Sequence, residues 1–292
     1  MKPAPFEYWA PGSLDEALAV LAGYGTEAKV LAGGQSLVPL LNFRLAKPAC
    51  LVDLNRIPEL SYIRESPDGL SIGAMTRQAE LERSEAVENR APLLAAATKL
   101  IGHAAIRHRG TVGGSLAHAD PAAELPAAAL IHNATLKVAG PQGSRDIRAE
   151  QFFIDYLATA MAPGEILQEI FFPARPQRAG YAVEELARRH GDFALAGVAA
   201  MVELDENSSI AGARIALFGL SPTAVRARKA EAALKGQPPG PDLFREAASL
   251  LDEAMDPPSD IHASGDYRRR VAAVLAVRAL AKATGRCQKR AV

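Results

Sequence analysis

The sequence predicts an α+β protein built from two domains. Three observations carry this expectation. Helical and strand-like segments follow each other irregularly, with hairpins where a doubly wound fold would need repeated βαβ units, so a Rossmann sheet is not expected. A stretch rich in proline and arginine, "PARPQRAG" (Pro173–Gly180), separates a longer first part from a shorter second one. A length of 292 residues suits two domains.

The elements follow in order. "SLDEALAVLAGYG" opens with a capping box, Ser13 to Glu16, carries a helical stripe of Leu14, Leu18 and Leu21, and stops at Gly23. "KVLAG" and "CLVDL" are short apolar runs of buried strands. "LSYIRES" and "GLSIGA" flank "PDG", a hairpin turn. "TRQAELER" and "APLLAAATKLI" are helical, the second with Pro92 at its start. "ATLKVAGPQGSRDIRA" predicts a hairpin turning at "PQGS", and "GEILQEIFFP" a strand. Beyond the break, "YAVEELARR", "LAGVAAMVEL" and "ARIALFGL" predict three strands. Three helices follow, in "SPTAVRARKAEAALKG", "PDLFREAASLLDEAM" and "SGDYRRRVAAVLAVRALAKATG".

Composition excludes several functions. Lys plus Arg and Asp plus Glu each total 33, so no broad positive field draws the chain to nucleic acid or anionic lipid. No run reaches the roughly 18 apolar residues of a membrane-spanning helix. Two cysteines, Cys50 and Cys287, are too few and too far apart for zinc or an iron–sulfur cluster. That usage, and an N-terminus "MKPAPFEYWAPGS" without an apolar signal core, predict a cytoplasmic protein.

Two glycine-rich loops stand out: "KVLAGGQSL", with Ala32, Gly33, Gly34, Gln35 and Ser36, and "RGTVGGSLAHAD", with Gly110, Thr111, Gly113, Gly114 and Ser115. Glycine has no Cβ to block a ligand and reaches φ > 0 freely. Successive amides can then converge on one anion, and Ser36, Thr111 and Ser115 can add hydroxyl donors. Glycine pairs also mark ordinary turns, but two loops of one chemistry could grip a diphosphate from both sides. Neither loop fits the G-x-G-x-x-G or the G-x-x-x-x-G-K-[ST] nucleotide motif.

Other groups leave alternatives open. His103, His108 and His118 could ligate a metal or form a basic patch with Arg107 and Arg109. Asp120 and Glu124 could share a helix face as an acid/base pair, or serve as a helix N-terminal charge and a hydroxyl acceptor. "RRHGD" (Arg188–Asp192) suits a ligand, a partner or a strand-end ion cluster. The apolar stripe Val271, Val274, Leu275 and Leu280 of the last helix suits core packing or a membrane surface. Trp9 packs the N-terminal segment or stacks on an adenine.

Three stretches resemble the FAD-binding medium subunit of molybdenum hydroxylases, of the carbon monoxide, nicotine and xanthine dehydrogenase types. They are "KVLAGGQSLVPLLNFRLAKP" with "LVDLNRIPEL", "IGHAAIRHRGTVGGSLAHADPAAELPAAAL", and "ELARRHGDFALAGVAAMV". The resemblance covers nearly the whole chain. It implies a vanillyl-alcohol-oxidase-type two-lobed FAD domain over residues 1–175, with lobes of about 1–55 and 56–175. It also implies a smaller α+β domain over 178–292, with a three-stranded antiparallel sheet and helices. FAD is implied to lie against Leu31, Ala32, Gly33, Gly34, Gln35, Ser36 and Leu37, and against Thr111, Gly113, Gly114 and Ser115. Lys29, Ile101, Ala117, Asp120, Glu124 and Leu167 would line the rest, with Glu124 on a cofactor hydroxyl. The implied function is an electron-transfer subunit between iron–sulfur clusters and an external acceptor. The implied partners are a large molybdenum-cofactor subunit and a small iron–sulfur subunit, in an (αβγ)2 assembly with neither nucleic acid nor a membrane span. No catalytic acid, base or nucleophile is expected on this chain. Where the xanthine dehydrogenase branch has a lysine near the flavin, this chain reads Glu184-Glu185, which argues against carrying over that branch's acceptor, NAD, and leaves the acceptor unassigned. The rival readings are a self-contained flavin oxidase or reductase of the same fold, and a flavin-free assembly module.

Overall fold

The computed structural model describes residues 1–290; Ala291 and Val292, the end of the expected second domain, lie outside the described residues. The first lobe is a parallel sheet of β1 (Glu7–Trp9), β2 (Ala28–Leu31) and β3 (Cys50–Asp53), joined by helices α1 (Leu14–Tyr24) and α2 (Leu37–Asn42). β3 lies between the other two and is buried at every position, as a parallel strand covered on both faces should be. Ser13 caps α1 by accepting the Glu16 amide at 3.3 Å, as the sequence predicts. The Glu16 carboxylate, however, accepts from Gly12 rather than closing the box on Ser13. The helix also passes Gly23 and stops at Gly25, the residue that takes a positive φ of 54°.

The second lobe is an antiparallel sheet ordered β4-β5-β10-β6-β7. It comprises β4 (Ile63–Ser66), β5 (Gly69–Gly73), β6 (Thr135–Gly140), β7 (Gly143–Arg148) and β10 (Ile166–Pro173). Its hairpins turn at Pro67-Asp68 and Pro141-Gln142, where turn chemistry places them. Six helices intervene between β5 and β6: α3 (Gln78–Arg83), α4 (Glu85–Arg90), α5 (Pro92–Thr98), α6 (Ala104–Arg109), α7 (Val112–His118) and α8 (Glu124–His132). After β7 come α9 (Ala149–Phe152) and a small hairpin of β8 (Phe153–Asp155) and β9 (Ala158–Thr159).

The C-terminal part holds the expected antiparallel strands β11 (Ala179–Ala187), β12 (Ala194–Leu204) and β13 (Ile210–Phe218), and helices α10 (Arg228–Leu234), α11 (Pro241–Ser249) and α12 (Gly265–Arg290). A fourth strand, β14 (Val225–Arg226), extends the sheet where the sequence predicts helix. Pairing with Ala216 and Leu217 holds these two residues extended, so α10 starts only at Arg228. The buried Arg226–Glu231 ion pair, at 2.5 Å, ties the strand to that helix.

Helix α12 resolves its own ambiguity. Its buried stripe is Ala272, Leu275, Ala276, Ala279, Leu280 and Ala283, packed on β11 and β12, while Val274 of the expected stripe is half exposed. Small residues let helix and sheet approach closely: a Cβ on Gly180 would collide with the Ala283 carbonyl. This buried stripe goes into the core against the sheet. Among the described residues no helix is long and apolar enough to cross one.

The opposite face of the same sheet rests on α5 and α8. All nine residues of α8 are buried, which is what a helix apolar on every side requires. A single core therefore runs across the break at residues 173–180, from Leu70 and Ile170 through α8 to Tyr181, Met201 and Phe218. His132, the last residue of α8, stacks on Tyr181 at 5.1 Å and meets the edge of Phe172 at 5.8 Å. Its Nε2 has no partner among the described residues. Burial, aided by Arg214, drives its pKa down to about 3, so it packs as a neutral ring.

This gives the first prediction. The unfolded chain takes up a proton at His132 near pH 6.5, but the folded chain does so only near 3. The unfolded state therefore gains protons first on acidification, and stability falls below about pH 6.5 by up to ~1.4 kcal/mol per unit from this residue. Urea unfolding at stepped pH from 7 to 4 should show a shallower acid loss in His132→Phe than in the parent; equal slopes would refute the assignment.

Candidate functional site

The first glycine loop leaves the C-terminal end of β2. Gly34 takes φ = 75°, a conformation that a side chain strains, and hydrogen bonding into α2 begins only with Val38, whose amide donates to the Gly34 carbonyl at 3.0 Å. Among the described residues, the five amides from Gly33 through Leu37 donate to no protein acceptor. The Ser36 hydroxyl is equally unengaged. A run of free donors beside a bare backbone is an anion cradle.

The second loop differs from expectation. Three of its amides are already spent: Val112 donates to the Thr76 carbonyl at 3.0 Å, Gly113 to the Ala74 carbonyl at 2.8 Å, and Gly114 to Thr111 Oγ1 at 3.0 Å. These bonds press the loop onto residues 74–76. Gly113 is required for that approach, since a Cβ there would overlap the Cβ of Ala74. Thr111 is buried with its Oγ1 accepting the Gly114 amide, while Ser115 stays partly exposed, so Ser115 is the hydroxyl on this loop within reach of solvent.

The two loops meet. A Cβ on Gly33 would strike the Arg109 carbonyl and lie 2.8 Å from the Gly110 Cα; one on Gly114 would lie 3.4 Å from the Cβ of Ala32. Beside this contact opens a cleft of about 360 Å³, lined by Leu31 through Gln35, Val38, Pro39, Asp53, Asn55 and Arg109. Of Asp53, Asn55 and Arg109, the sequence singled out only Arg109, as part of a basic patch; Asp53 and Asn55 were missed. A usable signal existed for both: β2 and β3 are parallel neighbours, so the residues that follow each strand leave on the same edge. Asp53 accepts from Tyr8 Oη at 2.5 Å and from the Asn55 amide at 2.9 Å, which fixes Asn55 against the first loop.

The acids downstream sit apart from each other. α7 ends with Ala119 in the left-handed region, and Asp120 caps the next turn by accepting the Ala122 amide at 2.9 Å. Asp120 thus lies outside α8, and the shared helix face considered for it with Glu124 does not form. Glu124, the first residue of α8, is only 7 % exposed. Burial pushes its pKa up to about 8 against the pull of its own amide, and Glu185 and Asp120 push the same way. Glu185 on β11 is raised to about 7 by burial, and its Oε2 has no partner among the described residues. Its neighbour Glu184 pairs with Lys282 at 2.5 Å.

The remaining expected residues scatter. Ala117 is exposed on α7, and Lys29 is exposed on β2. Leu167 is buried in the central core, and Ile101 packs against that core. "RRHGD" is brought to the stretch leading into the second loop: His190 lies 6.1 Å from His103, and Gly191, at φ = 87°, faces the His103 ring with no room for a side chain. Trp9 is half exposed on β1. Among the described residues no three His, Cys, Asp or Glu side chains converge as a metal site.

Residues 4–175 match the family described as the FAD binding domain in molybdopterin dehydrogenase, and residues 181–283 match the CO dehydrogenase flavoprotein C-terminal domain. The chain is 42 % identical to the 6-hydroxypseudooxynicotine dehydrogenase complex subunit alpha of Paenarthrobacter nicotinovorans, over 99 % of this chain and 97 % of that one. It is 40 % identical to the carbon monoxide dehydrogenase medium chain of Hydrogenophaga pseudoflava, over 98 % and 100 %. Its fold superposes with a TM-score of 0.96, at 41 % identity, on a chain of the Hydrogenophaga pseudoflava carbon monoxide dehydrogenase that lacks the Mo-pyranopterin moiety of its cofactor, covering 98 % of this chain and 100 % of that one.

The acid pair sets the second prediction. In the folded ligand-free chain Glu124 keeps its proton to about pH 8, while the unfolded chain releases it near 4.5. Stability therefore declines as pH rises between these values, the opposite direction to His132, by up to ~1.4 kcal/mol per unit. Thermal unfolding of the ligand-free chain from pH 5.5 to 8.5 should show this decline flattened in Glu124→Gln. An unchanged decline would mean that Glu124 ionises freely.

Proposed function

Because the chain belongs to the family of FAD-binding medium subunits of molybdenum hydroxylases, we propose that it is the electron-transfer subunit of such a complex. In this reading it stands between iron–sulfur clusters on a small partner and an external acceptor, while a large partner carries the molybdenum cofactor and the organic substrate. The assembly is (αβγ)2. Two cysteines, both buried and far apart in the sequence, leave the clusters to another chain.

The observation that carries the reading is the contact between the two glycine loops beside five unpartnered amides. That donor set fits the diphosphate of FAD. Bound FAD supplies one- and two-electron exchange, for which the protein provides position and electrostatics. The amides of Gly33 to Leu37 hold one side of the diphosphate, and the Ser115 hydroxyl holds the other. Asp120 and Glu124 take cofactor hydroxyls. Glu124, protonated at neutral pH, donates as well as accepts there. Leu31, Ile101 and Leu167 supply apolar backing, and Lys29 and Ala117 stand at the rim. Glu185, its pKa raised to about 7 by burial, is partly protonated near neutrality and puts no positive charge where the xanthine dehydrogenase branch has its lysine.

Two experiments test this. Purification of the native complex should yield one large partner with molybdenum and one small partner with iron; steady oxidation of an alcohol or amine by the single chain would overturn the reading. Gly114→Val puts a Cβ 2.6 Å from Thr111 Oγ1, on the face turned to Ala32. This variant should lose flavin absorbance while its flavin-free melting temperature stays within a few degrees of the parent. Parental FAD affinity would refute the loop assignment.

A further inference from the structure

Arg77 is the N-cap residue of α3 and belongs to neither glycine loop, yet it bonds the second directly and reaches the first through Asn55. Its Nη1 donates to the Arg109 carbonyl at 2.5 Å, the same carbonyl that Gly33 packs against. Its Nη2 donates to Asn55 Oδ1 at 2.5 Å, and Asn55 Nδ2 in turn donates to the Ala32 carbonyl at 3.0 Å. One unbroken chain of hydrogen bonds thus runs from the first loop, through Asn55 and Arg77, to the second. Both ends are anchored. Asp53 fixes Asn55, and an antiparallel bridge between Arg77 and Thr111 fixes the backbone of Arg77.

The charge of Arg77 has no ion-pair partner among the described residues; Glu80 and Asp53 favour it only from beyond contact distance. Its acceptors are a carbonyl and an amide oxygen, and among the described residues no carboxylate lies within ion-pair distance of it or of Arg109. Burial, and then the nearby Arg109 guanidinium, disfavour its charged form. Two guanidiniums held close without a carboxylate in ion-pair contact, beside five free amides, make a place where an anion relieves repulsion between them.

We propose that Arg77 is the residue that positions the cofactor diphosphate: through Asn55 it holds the two glycine loops at the separation one diphosphate needs, and its unpaired charge attracts that diphosphate. This rests on the flavin reading of the cleft. Arg77 acts through the loops and the field, so it is a positioning residue with no part in electron exchange.

The test titrates the flavin-stripped chain with FAD and, separately, with inorganic pyrophosphate at several salt concentrations. Arg77→Met should weaken FAD binding by about 10- to 100-fold, the usual worth of a charge-assisted hydrogen bond. It should also flatten the salt dependence of binding, which loss of fold integrity would not do selectively. Arg77→Lys should recover the salt dependence but only part of the affinity, because an ammonium cannot span the two acceptors. Asn55→Ala leaves the charge and cuts the tie, and it should lower FAD affinity while keeping the parental salt dependence; it also serves if Arg77→Met fails to fold. Parental FAD affinity and salt dependence in Arg77→Met, with Gly114→Val still losing FAD, would overturn the proposal alone. Should neither the parent nor any variant bind FAD, the flavin reading itself falls. The pyrophosphate titration then still decides on Arg77: equal pyrophosphate affinity in parent and Arg77→Met overturns its role.

Discussion

The site depends on one steric constraint, the seating of the Gly33 backbone on the backbone of Arg109 and Gly110. No side chain fits between them. The first loop can therefore lie on the second only if residue 33 lacks a Cβ, and that contact sets the free amides of residues 33–37 beside the second loop. The second loop gives up amides of its own to reach this position. Val112 and Gly113 bond to residues 76 and 74, which makes the loop a rigid wall against which the first can be set. One loop is thus a donor and the other a support, although their sequences look alike.

The C-terminal domain contributes more than a cap. Its sheet and the FAD-domain sheet share α8, a helix with no solvent face, so neither half buries its apolar surface without the other. This sharing carries Glu185 on β11 close enough to Glu124 to raise its pKa, and it brings the Arg188–Asp192 loop against His103. Both carboxyls lie in surroundings that favour the neutral form near pH 7. A site built this way is sensitive to anything that loosens the domain junction, including protonation of the neutral His132 within it.

Local chemistry was legible where a residue's role is decided by its near neighbours in the chain. The turns at "PDG" and "PQGS", the Ser13 cap and Pro92 at the start of α5 are of this kind. The errors arose where a distant partner intervened. Val225 and Arg226 are helix-compatible residues held extended by β13, and Val274 faces solvent because the sheet contacts the stripe centred on Ala276. The stop at Gly25 instead of Gly23 is local but ambiguous: either glycine could end the helix, and only the observed φ distinguishes them. The role of Arg77 had no signature at all, since its partners lie 22 and 32 residues away, and one of them is a backbone carbonyl common to every residue type.

By itself the sequence determined the class of most segments, the two bare loops, and the kind of anion such loops accept, because these follow from backbone freedom, periodicity and the presence or absence of a Cβ. The family resemblance in the same residues extended that to the flavin. Only the tertiary structure decided which amides remain free, which arginine bridges the loops, and which acids are pushed toward the neutral form. Those properties depend on what occupies the space around a group after folding. A hydrogen-bond donor is available, and a carboxyl is costly to ionise, only in relation to neighbours that the chain brings together from far along its length.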